Sequence, residues 1–236
     1  MSKKVLSLDA VLRDQIVRGQ LAPASRLRMD ELKGRFDVGY SPIREALSRL
    51  IGEGLVEFEP NRGFRVAALS REDLEDIAVA RTAVEVMALR RSIERGDDTW
   101  ESSIVAAMHR YRRRSEHAFD GEEDLRAWEI AHDELHFALI SACGSPRLIE
   151  QQKRLQEQHL RYRRLIVVPE VSPDTHIEEH EKLVSVVLDR DVEQAVREIE
   201  RHLMITVDAL GRAQFWTKEE KAEKAPEFIN PFGGKR

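Results

Sequence analysis

Apolar positions along the first third of the chain change period, and each change marks an element. Leu8, Val11, Leu12 and Ile16 recur at helical spacing with Gly19 just beyond them, which predicts a helix from about Leu6 to Arg18. A short second helix is expected from about Met29 to Phe36, after Pro23. Ser41-Pro42 then reads as a helix start. The serine hydroxyl can accept an orphan backbone N–H as N-cap, and proline at the first helical position has no N–H to leave unpaired. Ile43, Ala46, Leu47, Leu50 and Ile51 continue as one apolar stripe ending near Gly54, a third helix. Beyond it the period shortens to that of strands. Leu55-Val56-Glu57-Phe58-Glu59 and Phe64-Arg65-Val66, joined by the turn formers Pro60-Asn61-Arg62-Gly63, predict a hairpin.

Three short helices closed by a hairpin make the winged helix-turn-helix arrangement, whose third helix enters the DNA major groove while the wing lies along the backbone or minor groove. From Ser70 onward the pattern is helical almost throughout. Ser70 is the expected N-cap, with Asp73 three residues on, where a carboxylate suits the positive end of a helix. Breaks at Asp97-Asp98, Asp120-Gly121, Gly144-Ser145-Pro146, Pro169 to Pro173 and Asp189-Arg190-Asp191 divide this stretch into six helices. An antiparallel helical bundle of about 140 residues is the natural architecture. The expected fold is therefore mainly α: a winged helix-turn-helix domain at 1–69, an all-helical bundle at 70–216, and an aperiodic tail at 217–236 that is expected to be mobile.

Composition narrows the function classes. Charged residues are 34% of the 236, against a usual share of about 25%, and the hydrophobic set is 42%. A single cysteine, Cys143, excludes an internal disulfide, and no apolar run approaches the roughly 18 residues of a membrane span. Asp9, Arg13 and Asp14 interrupt any signal-peptide core after Lys3 and Lys4, so a cytoplasmic location and no membrane partner are expected. Net charge is −5, but residues 1–68 carry 12 Lys/Arg against 9 Asp/Glu, leaving −8 on the rest. A mildly basic front on an acidic body points to nucleic acid at one end only.

With the apolar stripe of the third helix facing the core, Ser41, Glu45, Ser48 and Arg49 face outward and Arg44 lies on the flank near the helix N-terminus, where free N–H groups favour phosphate. Arg28, Arg35, Arg44, Arg49, Arg62 and Arg65 are candidates for DNA backbone contacts, with Arg44 the candidate for a base edge; the competing reading of any one of them is solvated surface charge. Gly63 suits a positive φ in the turn and leaves room for close approach. Of eight histidines, His132 with His136 and His176 with His180 sit four apart, which puts each pair on one helix face, able to share a metal or to serve core or surface roles.

With these residues set out, the chain resembles the GntR family of bacterial transcription regulators, in its FadR-like subfamily with a C-terminal all-helical FCD ligand-binding domain. The resemblance rests on Leu27, Glu31-Leu32, Val38, Ser41-Pro42-Ile43-Arg44-Glu45-Ala46-Leu47, Leu50, Glu53-Gly54-Leu55-Val56 and Pro60-Asn61-Arg62-Gly63. It implies a homodimeric, metabolite-responsive repressor that binds a pseudo-palindromic double-stranded operator and is not an enzyme. Where the family usually has Val-Ser-Arg-Thr-Pro entering the recognition helix, this chain has Val38-Gly39-Tyr40-Ser41-Pro42, so the Arg is replaced by Tyr40, which keeps a hydroxyl but loses the bidentate guanidinium that reads guanine.

The same resemblance implies a divalent metal held by His136, His180 and His202 together with a carboxylate four residues before His136. That position is His132 here, and the adjacent Asp133 is turned about 100° round the helix. The implied ligands are therefore His132, His136, His180 and His202, a set that favours Zn²⁺ or Ni²⁺ over Mg²⁺ or Ca²⁺. His176 is a weaker candidate, and His109 and His117 are expected at the surface. A small carboxylate effector beside the metal is implied as well. Arg81 falls on the inward stripe Leu74, Ile77, Arg81, Val84, and His159 on the stripe Leu155, His159, Tyr162, Ile166. Each is either an effector contact or a satisfied core residue, Arg81 then pairing with Glu85. Arg161, Arg163 and Arg164 are expected on a solvated or interface face. A metalloenzyme fails on motif: His132-Asp133-Glu134-Leu135-His136 lacks the zincin Glu directly after the first histidine, and only Glu129 to His132 fits the Glu-x-x-His unit that a di-iron bundle needs twice.

Overall fold

The computed structural model describes residues 7–118, 120–166 and 173–212; the tail expected at 217–236 and part of the loop at Pro169 to Pro173 lie outside them. Helix α1 (Leu8–Val17) is followed by a two-residue strand β1 (Arg26–Leu27), α2 (Met29–Phe36), α3 (Tyr40–Gly52) and the hairpin β2 (Val56–Glu59) and β3 (Gly63–Val66). The hairpin is antiparallel, with Val56 opposite Val66 and Phe58 opposite Phe64. The strand β1 was not foreseen. It adds to the outer edge of β3, giving the order β1-β3-β2, and two residues are too few to leave a periodicity. Leu12, Ile16, Leu32, Ile43, Ala46, Leu47, Leu50, Leu55, Val56 and Val66 close over one another as the core of this head.

Ser41 is not the cap of α3. The helix begins at Tyr40, two residues before the expected first position Pro42, with Gly39 in the capping position and no side-chain cap. Pro42 therefore sits third in the first turn, where its missing N–H still has no intrahelical acceptor to miss. Ser70 does cap the next helix, its side chain accepting from the Asp73 N–H at 3.0 Å.

Among the described residues six helices follow: α4 (Arg71–Arg95), α5 (Asp98–Ser115), α6 (Glu122–Ile140), α7 (Pro146–Ile166), α8 (Pro173–Leu188) and α9 (Val192–Arg212). Their shared core is built on Leu89, Trp100, Ile104, Tyr111, Trp128, Leu135, Leu139, Leu183, Val187 and Leu203. The C-terminal half of α7 departs from expectation. Arg161, Arg163 and Arg164 are 3%, 5% and 9% exposed, not solvated. The cause is tertiary: α7 runs between the bundle and the head. Arg161 donates to the Ala67 carbonyl. Arg164 grips both carboxylate oxygens of Glu129 at 2.6 Å and donates to the Arg18 carbonyl, at the C-terminal end of α1, at 3.2 Å. Gln158 donates to the Glu53 carbonyl at 2.6 Å, and Leu160 packs onto the head core.

Candidate DNA face and histidine cluster

On α3 the side chains divide as the stripe requires: Ile43, Ala46, Leu47 and Leu50 are buried, while Ser41, Arg44, Glu45, Ser48 and Arg49 are exposed. Tyr40, Ser41, Arg44, Glu45, Ser48 and Arg49 line a surface groove of about 590 Å³. Arg44 has no ion pair among the described residues, so its guanidinium is free for an incoming anion. Arg49 stands 3.3 Å from Asp9 and Arg28 3.2 Å from Glu31, both pairs exposed and readily exchanged for phosphate. Arg35 is exposed, lying over the Phe36 ring, and Arg62 at the wing tip is 70% exposed. Arg65 differs from these, because Glu57 and Glu59 hold it on the sheet at 2.7 and 2.9 Å. Tyr40 donates its hydroxyl to Asp30 at 2.5 Å, with the Lys33 ammonium over its ring. Gly63 has φ +84°, in the left-handed region, and open space where a Cβ would be.

Inside the bundle, His132 and His136 from α6, His180 from α8 and His202 from α9 come together. One ring nitrogen of each lies within 4.8 Å of the others, and all four belong to the buried interior. The i, i+4 spacing puts the two α6 rings 4.5 Å apart, and the corner after Leu188 folds His202 back to 4.4 Å from His180. His136 Nε2 and His202 Nε2 are 3.1 Å apart. His109 and His117 are exposed, and the His176 side chain is outside the described residues.

Around the cluster lies a charged shell that the sequence reading only partly foresaw. Arg81 and Glu85 form the i, i+4 pair at 2.5 Å, fully buried. Glu85 continues it, its other oxygen 3.3 Å from His136 Nδ1. Burial alone would raise the Glu85 carboxyl, but Arg81 and His136 outweigh it and hold the group down at about 2. An ionised Glu85 accepts the Nδ1–H of His136 and leaves Nε2 as the ligating atom, the carboxylate–histidine arrangement found behind metal ligands. Arg81 also reaches His159 Nδ1 at 3.0 Å, so both candidate effector contacts lie together. Burial, then Arg163 and the other rings, pushes the His132 imidazolium well below the usual histidine range, and burial with Arg81 does the same for His159; both are neutral. Arg163 was missed. Its Nη1 is 2.5 Å from His132 Nδ1 and its guanidinium lies over Trp128. Arg81 Nη2, His159 Nε2, and Arg163 Nε and Nη2 are buried with no hydrogen-bond partner among the described residues. Asp133, turned toward α7 as its position on the helix requires, accepts from Gln156 at 2.6 Å.

A winged-helix head with an exposed groove bearing Arg44 and Arg49, fixed to a helical bundle that encloses a polar site, is the architecture of a DNA-binding transcription regulator. The chain belongs to the GntR family: residues 5–66 match the bacterial regulatory proteins of that family and residues 76–204 the FCD domain. It is 34% identical over 216 residues to the HTH-type transcriptional repressor GlaR of Escherichia coli (strain K12), covering 89% of this chain and 97% of that one. It is 36% identical over 200 residues to the HTH-type transcriptional regulator BphR of Paraburkholderia xenovorans (strain LB400), covering 84% and 82%. The E. coli McbR/YncC structure shares the fold at a TM-score of 0.72 and 19% identity, over 90% of this chain and 99% of that one. The chain is thus a regulator and not an enzyme, and among the described residues no helix is long and apolar enough to cross a membrane.

Proposed function

We propose that the chain is a homodimeric, sequence-specific repressor whose helical domain holds a divalent transition metal, Zn²⁺ or Ni²⁺, and answers to a small carboxylate metabolite. The observation that carries this is the convergence of four buried imidazoles within 4.8 Å, beside buried guanidinium donors with nothing described to receive them. Nitrogen-only donors suit a borderline metal. His132, His136, His180 and His202 would hold it, Glu85 orienting His136. The metal would supply an open coordination position for a carboxylate oxygen, and Arg81 and His159 would take the rest of the anion.

In this reading residues 1–69 read DNA and 70–216 sense. Arg28, Arg35, Arg49 and Arg62 neutralise phosphates, and Gly63 lets the wing approach the backbone closely. Tyr40, Ser41, Arg44 and Ser48 face base edges of a pseudo-palindromic site. The exposed stripe Val79, Ala83 and Met87 on α4 supports a second copy as partner. Repression is the sign carried by the name of the E. coli relative GlaR. The effector would act by shifting how the heads are held, a coupling of about 1–3 kcal/mol.

The test has two arms. Capture of fragments of the source genome on the purified protein should enrich a short pseudo-palindrome upstream of a few genes; no enrichment, with or without added Zn²⁺, would overturn the DNA reading. Metal analysis should find stoichiometric metal in the wild type and none in His136→Ala/His202→Ala. Equal metal in both would sink the site.

A further inference from the structure

Within the histidine cluster two rings are prepared in opposite ways. His136 gives its Nδ1–H to Glu85, so the lone pair on its Nε2 points into the cluster. His132 faces Arg163 instead, whose Nη1 lies 2.5 Å from Nδ1 and 3.3 Å from Nε2. A guanidinium has donors only, so the nearer nitrogen, His132 Nδ1, is the acceptor. A neutral imidazole owns one lone pair and one N–H. With the lone pair on Nδ1 given to Arg163, the proton sits on Nε2, and neither nitrogen is left to ligate.

We propose that Arg163 is a displaceable latch: it competes with the metal for His132, must let go for His132 to become a ligand, and passes that movement to the DNA-binding head. This rests on the metal reading above and names the regulation of that site. The alternative partner for each group is already at hand. Asp133 Oδ1 lies 3.4 Å from His132 Nδ1 and 3.6 Å from Arg163 Nη2. Once Arg163 turns away, His132 Nδ1 can carry the proton and donate it to Asp133, which frees the Nε2 lone pair; Asp133 then serves His132 as Glu85 serves His136. Arg163 Nε and Nη2, which have no hydrogen-bond partner among the described residues, Nη2 having only the longer ion pair with Asp133, are the donors that a carboxylate of the effector would meet.

The reach to the head follows from the next residue. Arg164 is clamped to Glu129, which stands three residues before His132 on α6, and donates to the Arg18 carbonyl at the end of α1. Consecutive residues of one helix thus hold the sensory histidine and the head.

Zinc affinity, measured by competition with a chelating dye, should be at least tenfold tighter in Arg163→Met than in wild type, because the variant has no donor to surrender. In wild-type protein, imidazole ¹⁵N spectra should move the His132 proton from Nε2 to Nδ1 on zinc addition, and hydrogen exchange near residues 14–18 should change. Equal or weaker zinc affinity in the variant, or an unmoved His132 proton in wild type that binds zinc, would overturn the latch and leave the metal reading standing. Unaltered exchange in zinc-bound wild type would refute its reach into the head. A wild type that takes no zinc would remove the metal reading and the latch with it.

Discussion

Glu85→Ala takes away the carboxylate that both Arg81 and His136 use. Arg81 is 2% exposed and Glu85 1%, with 2.5 Å between their charged atoms. Breaking such a pair from one side strands a buried charge and costs about 3–5 kcal/mol. For a chain of this length that is a fall of about 6–20 °C in Tm. Guanidinium and thermal unfolding of the purified protein would measure it. Removing both charges, as Arg81→Met/Glu85→Ala, should recover most of the loss, because no cation is then left unpaired. Glu85→Gln isolates the charge. The folded carboxyl is held at about 2 against an ordinary 4.5, so the charged form is favoured in the folded state by about 3 kcal/mol. A depressed carboxyl gives stability that is complete above its unfolded value and is lost as pH falls. The gap between wild type and Glu85→Gln should therefore be full at neutral pH and close between about 4.5 and 2. A single variant within about 1 kcal/mol of wild type, or a gap unchanged over that range, would refute the buried ion pair.

Arg44→Ala should weaken specific DNA binding by about 1–3 kcal/mol in a mobility or anisotropy titration while the protein stays folded; unchanged affinity would remove Arg44 from the contact set. Gly54 has φ +72°, and a Cβ there would meet the Gln158 amide at 2.5 Å, so Gly54→Ala should cost about 1–2 kcal/mol and loosen the head from the bundle, read as faster proteolysis between them. Ser70→Ala, which removes the cap of α4, should cost about 1 kcal/mol in chemical unfolding; no loss would mean that the Asp73 N–H finds another acceptor.

Local signals in the chain were sufficient for much of this fold. The bounds of α2, the hairpin and the breaks between the later helices follow from period and turn chemistry, which act over a few residues. The four histidines came from spacing together with a family resemblance, and the bundle brings all four together. What stayed hidden depends on contacts between distant segments. The strand β1 exists because β3 offers it an edge, and its two residues carry no pattern of their own. Arg161, Arg163 and Arg164 look solvated in sequence because α7 is strongly polar along its length, and their burial arises from tertiary contacts, Arg161 with the head, Arg163 with α6 of the bundle and Arg164 with both. Glu85 was read as a possible partner for Arg81; its second role, behind His136, requires α4 and α6 to lie side by side.

The hold of α7 on the head has an evolutionary consequence. Gln158, Arg161 and Arg164 take the carbonyls of Glu53, Ala67 and Arg18, which are main-chain atoms that any residue supplies. These three contacts ask the head for its backbone path and not for particular side chains. A lineage can then rewrite the outward face of α3 for a new DNA sequence without renegotiating the joint that fixes the head to the bundle, and one helical bundle can serve many addresses on DNA.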